Sequence, residues 1–177
     1  SQSHILMGQP GVKRGDDDYF PLYVGNYVLG GGGLVSRISE EVREKRGLSY
    51  SAYSYFLPMA RQGPFILGLQ TANKQADEAL QVLRDTLVKF VEQGPTEEEM
   101  TAARKHITGG FPLRIDSNSE ILEYIAMIGF YGLPLDYLQT FNDHVNAVTR
   151  QDVMDAFKRR VYPQRMVTVI VGEASSE

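Results

Sequence analysis

The chain contains no cysteine, which excludes disulfides, thiolate catalysis and cysteine-ligated zinc. A cysteine-free chain suits cytoplasm and periplasm alike, so the compartment stays open. Histidine is scarce as well, with His4, His106 and His144 alone. None of them has a second ligand one helical turn away, as the helical zinc motifs His-x-x-x-His and His-x-x-Glu-His require. No metal residues and no cofactor are therefore expected in this chain. No run of about 18 apolar residues occurs, so no membrane-spanning helix is predicted. Lys and Arg are nowhere concentrated and the formal net charge is −4, which argues against nucleic acid as a partner. There is no Gly-x-Ser-x-Gly elbow for a serine nucleophile and no Gly-Lys-Ser/Thr ending for a phosphate loop.

What is present is the composition of an ordinary globular protein: 177 residues, 42% hydrophobic and 23% charged. No repeat, low-complexity tract or linker divides the chain, so residues 1–177 are expected to form a single domain. The opening Ser-Gln-Ser-His has neither an initiator Met nor a signal peptide, as in a processed product or an expressed fragment.

Periodicity predicts the elements. His4–Gly8 reads as a strand closed by Pro10, and Gly15–Asp18 as a helix start in which the three aspartates serve as caps rather than a calcium loop. Leu48–Leu57 and Phe65–Ala72 read as an antiparallel hairpin around Pro-Met-Ala-Arg-Gln-Gly-Pro. Gln75–Gln93 is a helix whose stripe from Ala76 to Val91 is core, ended by Gly94-Pro95. Thr96 with Glu99, and Ser117 with Glu120, have capping-box spacing. The first opens a helix to about Thr108, interrupted by Gly109-Gly110 and Pro112. The second precedes Ile121, Leu122, Ile125 and Ile128. Gly132 and Pro134 separate this helix from one starting near Leu135, and Thr149 caps a last helix. Met166–Val171 is apolar on both faces and reads as a strand covered on both sides or flanked within a sheet. Glu173 to Glu177 reads as a polar tail. The order predicts an α+β fold, with helices packed on one face of a mixed, mainly antiparallel sheet.

The stretch Tyr27–Tyr50 carries the chemistry. Gly30, Gly31, Gly32 and Gly33 are expected to stop whatever precedes them, because glycine is costly inside a helix. A helix from Ser36, with Leu34, Ile38 and Val42 on one face, should end at Gly47. That reversal brings Arg43, in the last helical turn, to the same end of the domain as Tyr50. A guanidinium and a phenol placed together can hydrogen-bond one peptide carbonyl and the charge developing on it. A cation at a helix C-terminus also has a purely structural reason to be there, the helix dipole.

The blocks HILMGQPG, YVLGGGGLVSRISEEVREKRGLSYS, TEEEM, FPLRIDSNSEILEYIAMIGFYGLPLDY and VTVIVGE span nearly the whole chain. In that order they resemble the C-terminal half of the pitrilysin-like, or mitochondrial-processing-peptidase-like, zinc peptidases. Their Arg-x₆-Tyr pair matches Arg43 and Tyr50. The resemblance implies half of a clamshell. A zinc-bearing N-terminal half, on the same chain or on a partner subunit of a heterodimer, would hold zinc through His-x-x-Glu-His. This half would contribute Arg43 and Tyr50 to bind peptide and stabilise the transition state, with Gly30–Gly33 as a turn linked to substrate handling. The alternative it leaves is a catalytically inactive structural subunit of the same family.

Overall fold

The computed structural model describes residues 2–172; the tail expected over 173–177 lies outside them. Strand β1 (Gln2–Pro10) buries Ser3, Ile5 and Met7 and turns His4 and Leu6 the other way, the period-two pattern of a half-covered sheet. Strands β2 (Ala52–Phe56) and β3 (Pro64–Ala72) form the expected hairpin, with Ala52 opposite Leu69 and Phe56 opposite Phe65. The sheet is completed by β4 (Val167–Val171), and the spatial order β2-β3-β1-β4 is antiparallel throughout. Leu48 to Ser51, predicted as the start of β2, precede it as a loop.

The inward rows, including Ile5, Met7, Phe65, Leu67 and Leu69, join one hydrophobic cluster with the helices. The outward rows align Tyr53, Gly68, Leu6 and Val169, and beside them Tyr55, Ile66, Gly8 and Val167. No helix covers these rows among the described residues, and Leu6, Val167 and Val169 are exposed. This corrects the reading of Met166–Val171 as a strand covered on both sides or flanked within a sheet. β4 is outermost, with one neighbour, and Val167, Val169, Ile170 and Val171 face solvent. Apolar residues on both faces of a strand indicate cover on both faces, but here Thr168, bonded by Arg84 Nη2 at 2.7 Å, is half-buried while its four apolar neighbours are exposed.

Five helices follow the hairpin or close the chain: α3 (Ala76–Gln93), α4 (Glu97–Gly110), α5 (Asn118–Tyr131), α6 (Tyr137–Ala147) and α7 (Arg150–Arg160). The stripe of α3 is core, with Ala79, Leu83, Leu87 and Phe90 buried. Thr96–Glu99 and Ser117–Glu120 form the reciprocal capping boxes that their spacing predicts, and Thr149–Asp152 forms a third. Helix α4 runs through Gly109 and Gly110 rather than stopping at Thr108. Both glycines face open space, and the buried Phe111 beyond them anchors the turn that follows. In α5 only Ile128 is buried, while Leu122, Ile125 and Phe130 are exposed.

Near the N-terminus, helix α1 (Tyr19–Asn26) begins where its acidic approach suggests, but the aspartates do not cap it. Asp18 makes no side-chain capping bond. Its buried carboxylate instead accepts from Arg159 Nη2 at 2.6 Å and Arg160 Nε at 2.7 Å, and Asp16 accepts from Arg160 Nη2 at 2.8 Å. The aspartates therefore fasten the start of α1 to the end of α7. A paired, buried carboxylate outcompetes helix capping because charge-assisted bonds to arginine are the stronger ones.

Candidate functional site

Helix α1 (Tyr19–Asn26) does not end before the glycines. It continues as a π-helical turn over Tyr27–Gly31, and a short 3₁₀ turn follows at Gly33–Val35. The expectation that four glycines would stop a helix is thus corrected at Gly30 and Gly31, and tertiary packing is the reason. A Cβ on Gly30 would fall on Ser54 Oγ and lie 2.6 Å from Ser54 N and 2.9 Å from Ile38 Cδ1. Only glycine lets this turn lie against β2, and π turns are frequent where a helix is bent for a site. Next to it, Asn26 Nδ2 donates to the Ser54 carbonyl at 3.1 Å, and Ser54 Oγ donates to Asn26 Oδ1 at 2.7 Å. The clasp occupies the middle of the β2 edge. The reversal itself falls at Gly33, whose φ of +64° suits glycine. Leu34 is exposed and does not share the buried face of Ile38 and Val42.

Ser36 caps the next segment, with Ser39 N donating to its Oγ at 3.4 Å. One turn of helix α2 (Arg37–Ser39) runs into a second π turn, Glu40–Glu44, which carries Arg43. Arg37 fixes this segment to α4 by a bidentate pair, Nε to Glu99 Oε1 at 2.7 Å and Nη2 to Glu99 Oε2 at 2.6 Å. Burial alone would raise the Glu99 carboxyl, but the Arg37 guanidinium and the Thr96 bonds outweigh it and hold it below the ordinary carboxylate value. A carboxyl with a depressed folded-state pKa contributes stability above its unfolded pKa and loses it as pH falls through the folded one. Glu99→Gln should therefore cost about 1–3 kcal/mol near neutrality. In urea melts at several pH values, the gap to wild type should close as pH drops below about 4, the unfolded glutamate range.

The segment ends as predicted at Gly47 (φ +61°), whose N–H donates to the Arg43 carbonyl at 2.8 Å. Thr71 Oγ1 then donates to the Leu48 carbonyl at 2.5 Å, and Ser49 Oγ lies 2.6 Å from the Gln70 carbonyl. With Leu48 and Ser49 fastened to β3, Tyr50 is thrust outward and is 84% exposed. The Arg43 guanidinium carbon lies 4.8 Å from the centroid of the Tyr50 ring. Its Nε also lies 3.4 Å from Glu44 Oε1. Arg43 and Tyr50 are thus in contact, and the Tyr50 hydroxyl has no hydrogen-bond partner among the described residues.

Gly30, Gly31, Gly32 and Gly33 line a cavity of about 880 Å³ with β2, and Ser51, next to Tyr50 in sequence, lines it too. Arg43 and Tyr50 themselves lie outside its lining. The cavity is also lined by His106 and by Arg14, Tyr19, Tyr23 and Arg114, and these last four were not singled out from the sequence. Arg114 Nη1 donates to the Tyr23 hydroxyl at 3.0 Å across 91 residues of chain, a pairing no local pattern reveals. Burial, then the neighbouring Tyr137, push the Tyr19 phenol up, so it stays protonated. The histidines are scattered: His106 packs on Tyr27, His144 on Phe20, and His4 lies on the outer sheet face. No three His, Asp or Glu side chains cluster as a metal site among the described residues.

Residues 1–107 match the family described as the peptidase M16 inactive domain. The chain belongs to that family. An uncharacterized zinc protease of Streptomyces coelicolor is 36% identical over 125 residues, which are 71% of this chain and 27% of that protein. The non-peptidase homolog YmxG of Helicobacter pylori is 28% identical over 99% of the chain and 41% of its own length. The M16 chain is thus under half the length of these curated relatives. A crystal structure of a peptidase M16 inactive domain from Pseudomonas fluorescens superposes with a TM-score of 0.92 at 35% identity. That match covers 99% of this chain and 42% of the other. The inactive peptidase domain of a zinc protease from Bordetella parapertussis shares the fold at 15% identity, with a TM-score of 0.82 over 97% of this chain and 92% of its own. The α+β architecture is that of M16 inactive domains.

Proposed function

We propose that this chain, as one domain, is the zinc-free half of an M16 metalloendopeptidase and closes a peptide chamber together with a zinc-bearing half. The observation that carries the reading is the contact of Arg43 with an exposed Tyr50 whose hydroxyl is unpaired. An arginine serving only the helix dipole needs no such partner. Zinc, held by the other half, would supply Lewis-acid chemistry to water and to the scissile carbonyl. Arg43 and Tyr50 orient the peptide and donate to the developing oxyanion from the opposite wall. Gly30–Gly33 shape the cavity floor along which the peptide runs. The Asn26 clasp limits strand addition on β2 to the residues either side of Ser54. Side-chain donors therefore carry more of the grip than backbone pairing does.

The uncovered rows of Leu6, Ile66, Val167 and Val169 are the surface we assign to the zinc-bearing half. They form an apolar patch on a chain that spans 41% or less of the Streptomyces coelicolor and Helicobacter pylori relatives, and such patches mark interaction sites. The second reading, an inactive structural subunit of the family, draws on the Helicobacter pylori relative, a protein named as a non-peptidase homolog.

Mixing experiments separate them. The chain alone should carry no stoichiometric zinc by metal analysis and cleave no peptide, and adding the zinc-bearing half should restore cleavage. Val169→Lys should abolish that restoration while leaving the thermal melt of the chain unchanged, because the side chain is 49% exposed in the chain alone. One tightly bound zinc per isolated chain, or a mixture that forms a complex and stays inert, would remove the enzymatic reading.

A further inference from the structure

Behind the glycine turn a smaller cavity of about 370 Å³ opens between α1, α5 and α6, and its walls are basic and phenolic. Arg14 lies between the rings of Tyr19 and Tyr131, its guanidinium carbon 5.3 Å and 5.4 Å from their centroids. Its Nη1 donates to the Tyr19 hydroxyl at 3.0 Å, and its Nε is buried with no hydrogen-bond partner. Arg114 donates to the Tyr23 hydroxyl at 3.0 Å and interacts with that of Tyr124. Neither arginine has a carboxylate partner among the described residues, although Asp16 and Asp18 lie close in sequence to Arg14. Those two are held by Arg159 and Arg160. Glu123 also lines the cavity, exposed and without an ion pair, so the wall carries two positive charges against one negative.

We propose that Arg14 and Arg114, with the hydroxyls of Tyr23 and Tyr124, bind a carboxylate of a peptide. Two guanidiniums brought to one cavity repel each other, and neutral phenol oxygens satisfy their donors less well than an anion does. The unpartnered Nε of Arg14 leaves a donor waiting for an acceptor that the chain does not supply. A carboxylate matches the planar fork of a guanidinium and forms charge-assisted bonds in a partly dry site. Arg14, Tyr19, Tyr23 and Arg114 line both this cavity and the larger one. A peptide lying along the glycine turn can therefore put one end or one acidic side chain between the arginines. This assignment rests on the peptide-chamber reading and names the substrate feature that the chamber selects.

The chain has its own continuous core, and the Bordetella parapertussis structure shows the same fold in a chain of which it covers 92%. Binding can accordingly be measured on the chain alone by calorimetry. Three heptapeptides of one sequence serve as probes: one with a free C-terminal carboxylate, one amidated, and one amidated with an internal Gln replaced by Glu. At least one carboxylate-bearing peptide should bind about tenfold more tightly than the amidated one, the scale of a charge-assisted contact. Which of the two gains tells a terminal from a side-chain carboxylate. Arg114→Gln, on an exposed residue whose loss spares the core, should reduce the preference to about twofold or less, as should Arg14→Gln. In either variant the carboxylate-bearing peptide should lose more affinity than the amidated one. Equal binding of all three peptides, or a preference that survives Arg114→Gln, overturns the assignment and leaves the peptide chamber standing. Absence of all peptide binding overturns it as well, and cleavage by the reconstituted enzyme then decides the chamber separately.

Discussion

Tyr50→Phe in the reconstituted enzyme should lower kcat by about 10²–10³, the usual loss when one preorganised donor to an oxyanion is removed. The substitution deletes a hydroxyl that makes no hydrogen bond among the described residues, from a ring that is 84% exposed. No cavity forms and no buried partner is orphaned, so the melting temperature should match wild type. A fall in kcat without a rise in KM would mean that the hydroxyl acts on the transition state and not on ground-state binding. Arg43→Ala should raise KM as well, since its guanidinium both positions peptide and holds the Tyr50 ring at 4.8 Å. The double variant should lose less than the product of the two single losses, because groups sharing one carbonyl are coupled. Wild-type turnover in Tyr50→Phe at matched stability would leave the structural-subunit reading in possession of the site.

Much of this site is visible in the sequence because its geometry is local. Arg43 and Tyr50 are joined by a reversal whose Gly47 is a recognisable helix stop, and the positive φ falls there. The capping boxes at Thr96 and Ser117, the core stripe of α3 and the β2–β3 hairpin are equally short-range patterns, and each forms as its spacing predicts. What escapes the sequence depends on partners distant along the chain. Asp16 and Asp18 look like helix caps until Arg159 and Arg160 arrive from the far end of the chain. Arg14 and Arg114 lie in segments with no shared pattern, and only the fold brings both to one cavity. Met166–Val171 fails differently. Its two apolar faces are real, but the sequence reports hydrophobicity rather than position, and the strand lies uncovered at the sheet edge. The assignment of that face to the zinc-bearing half gives the pattern a cause outside this chain.

The glycine run is where propensity and packing disagree most, and it yields the second large effect. Propensity makes Gly30 a helix breaker, whereas the structure keeps it inside a π turn because β2 lies too close for any side chain. Gly30→Ala should improve local helix propensity and still destabilise the chain. The new Cβ meets Ser54 N at 2.6 Å, and backbone in the sheet cannot step aside as a flexible side-chain end can. Overpacking of this kind costs about 2–3 kcal/mol, a fall of roughly 5–10 °C in melting temperature for a chain of this size. The displaced turn should also pull Asn26 from Ser54 and open the edge of β2, so backbone amides near Ser54 should lose hydrogen-exchange protection before the rest of the sheet. Gly33→Ala is the matched control. Nothing lies within 4 Å of its Cβ position, and only the left-handed backbone at φ +64° is penalised, at about 1 kcal/mol and without local exchange at Ser54. Combining Gly30→Ala with Ser54→Ala should recover little, since the backbone N–H contact remains after the hydroxyl is gone. A Gly30→Ala chain that melts with wild type and keeps its protection at Ser54 would show that the turn yields freely, and the glycine run would then need another explanation than close packing on β2.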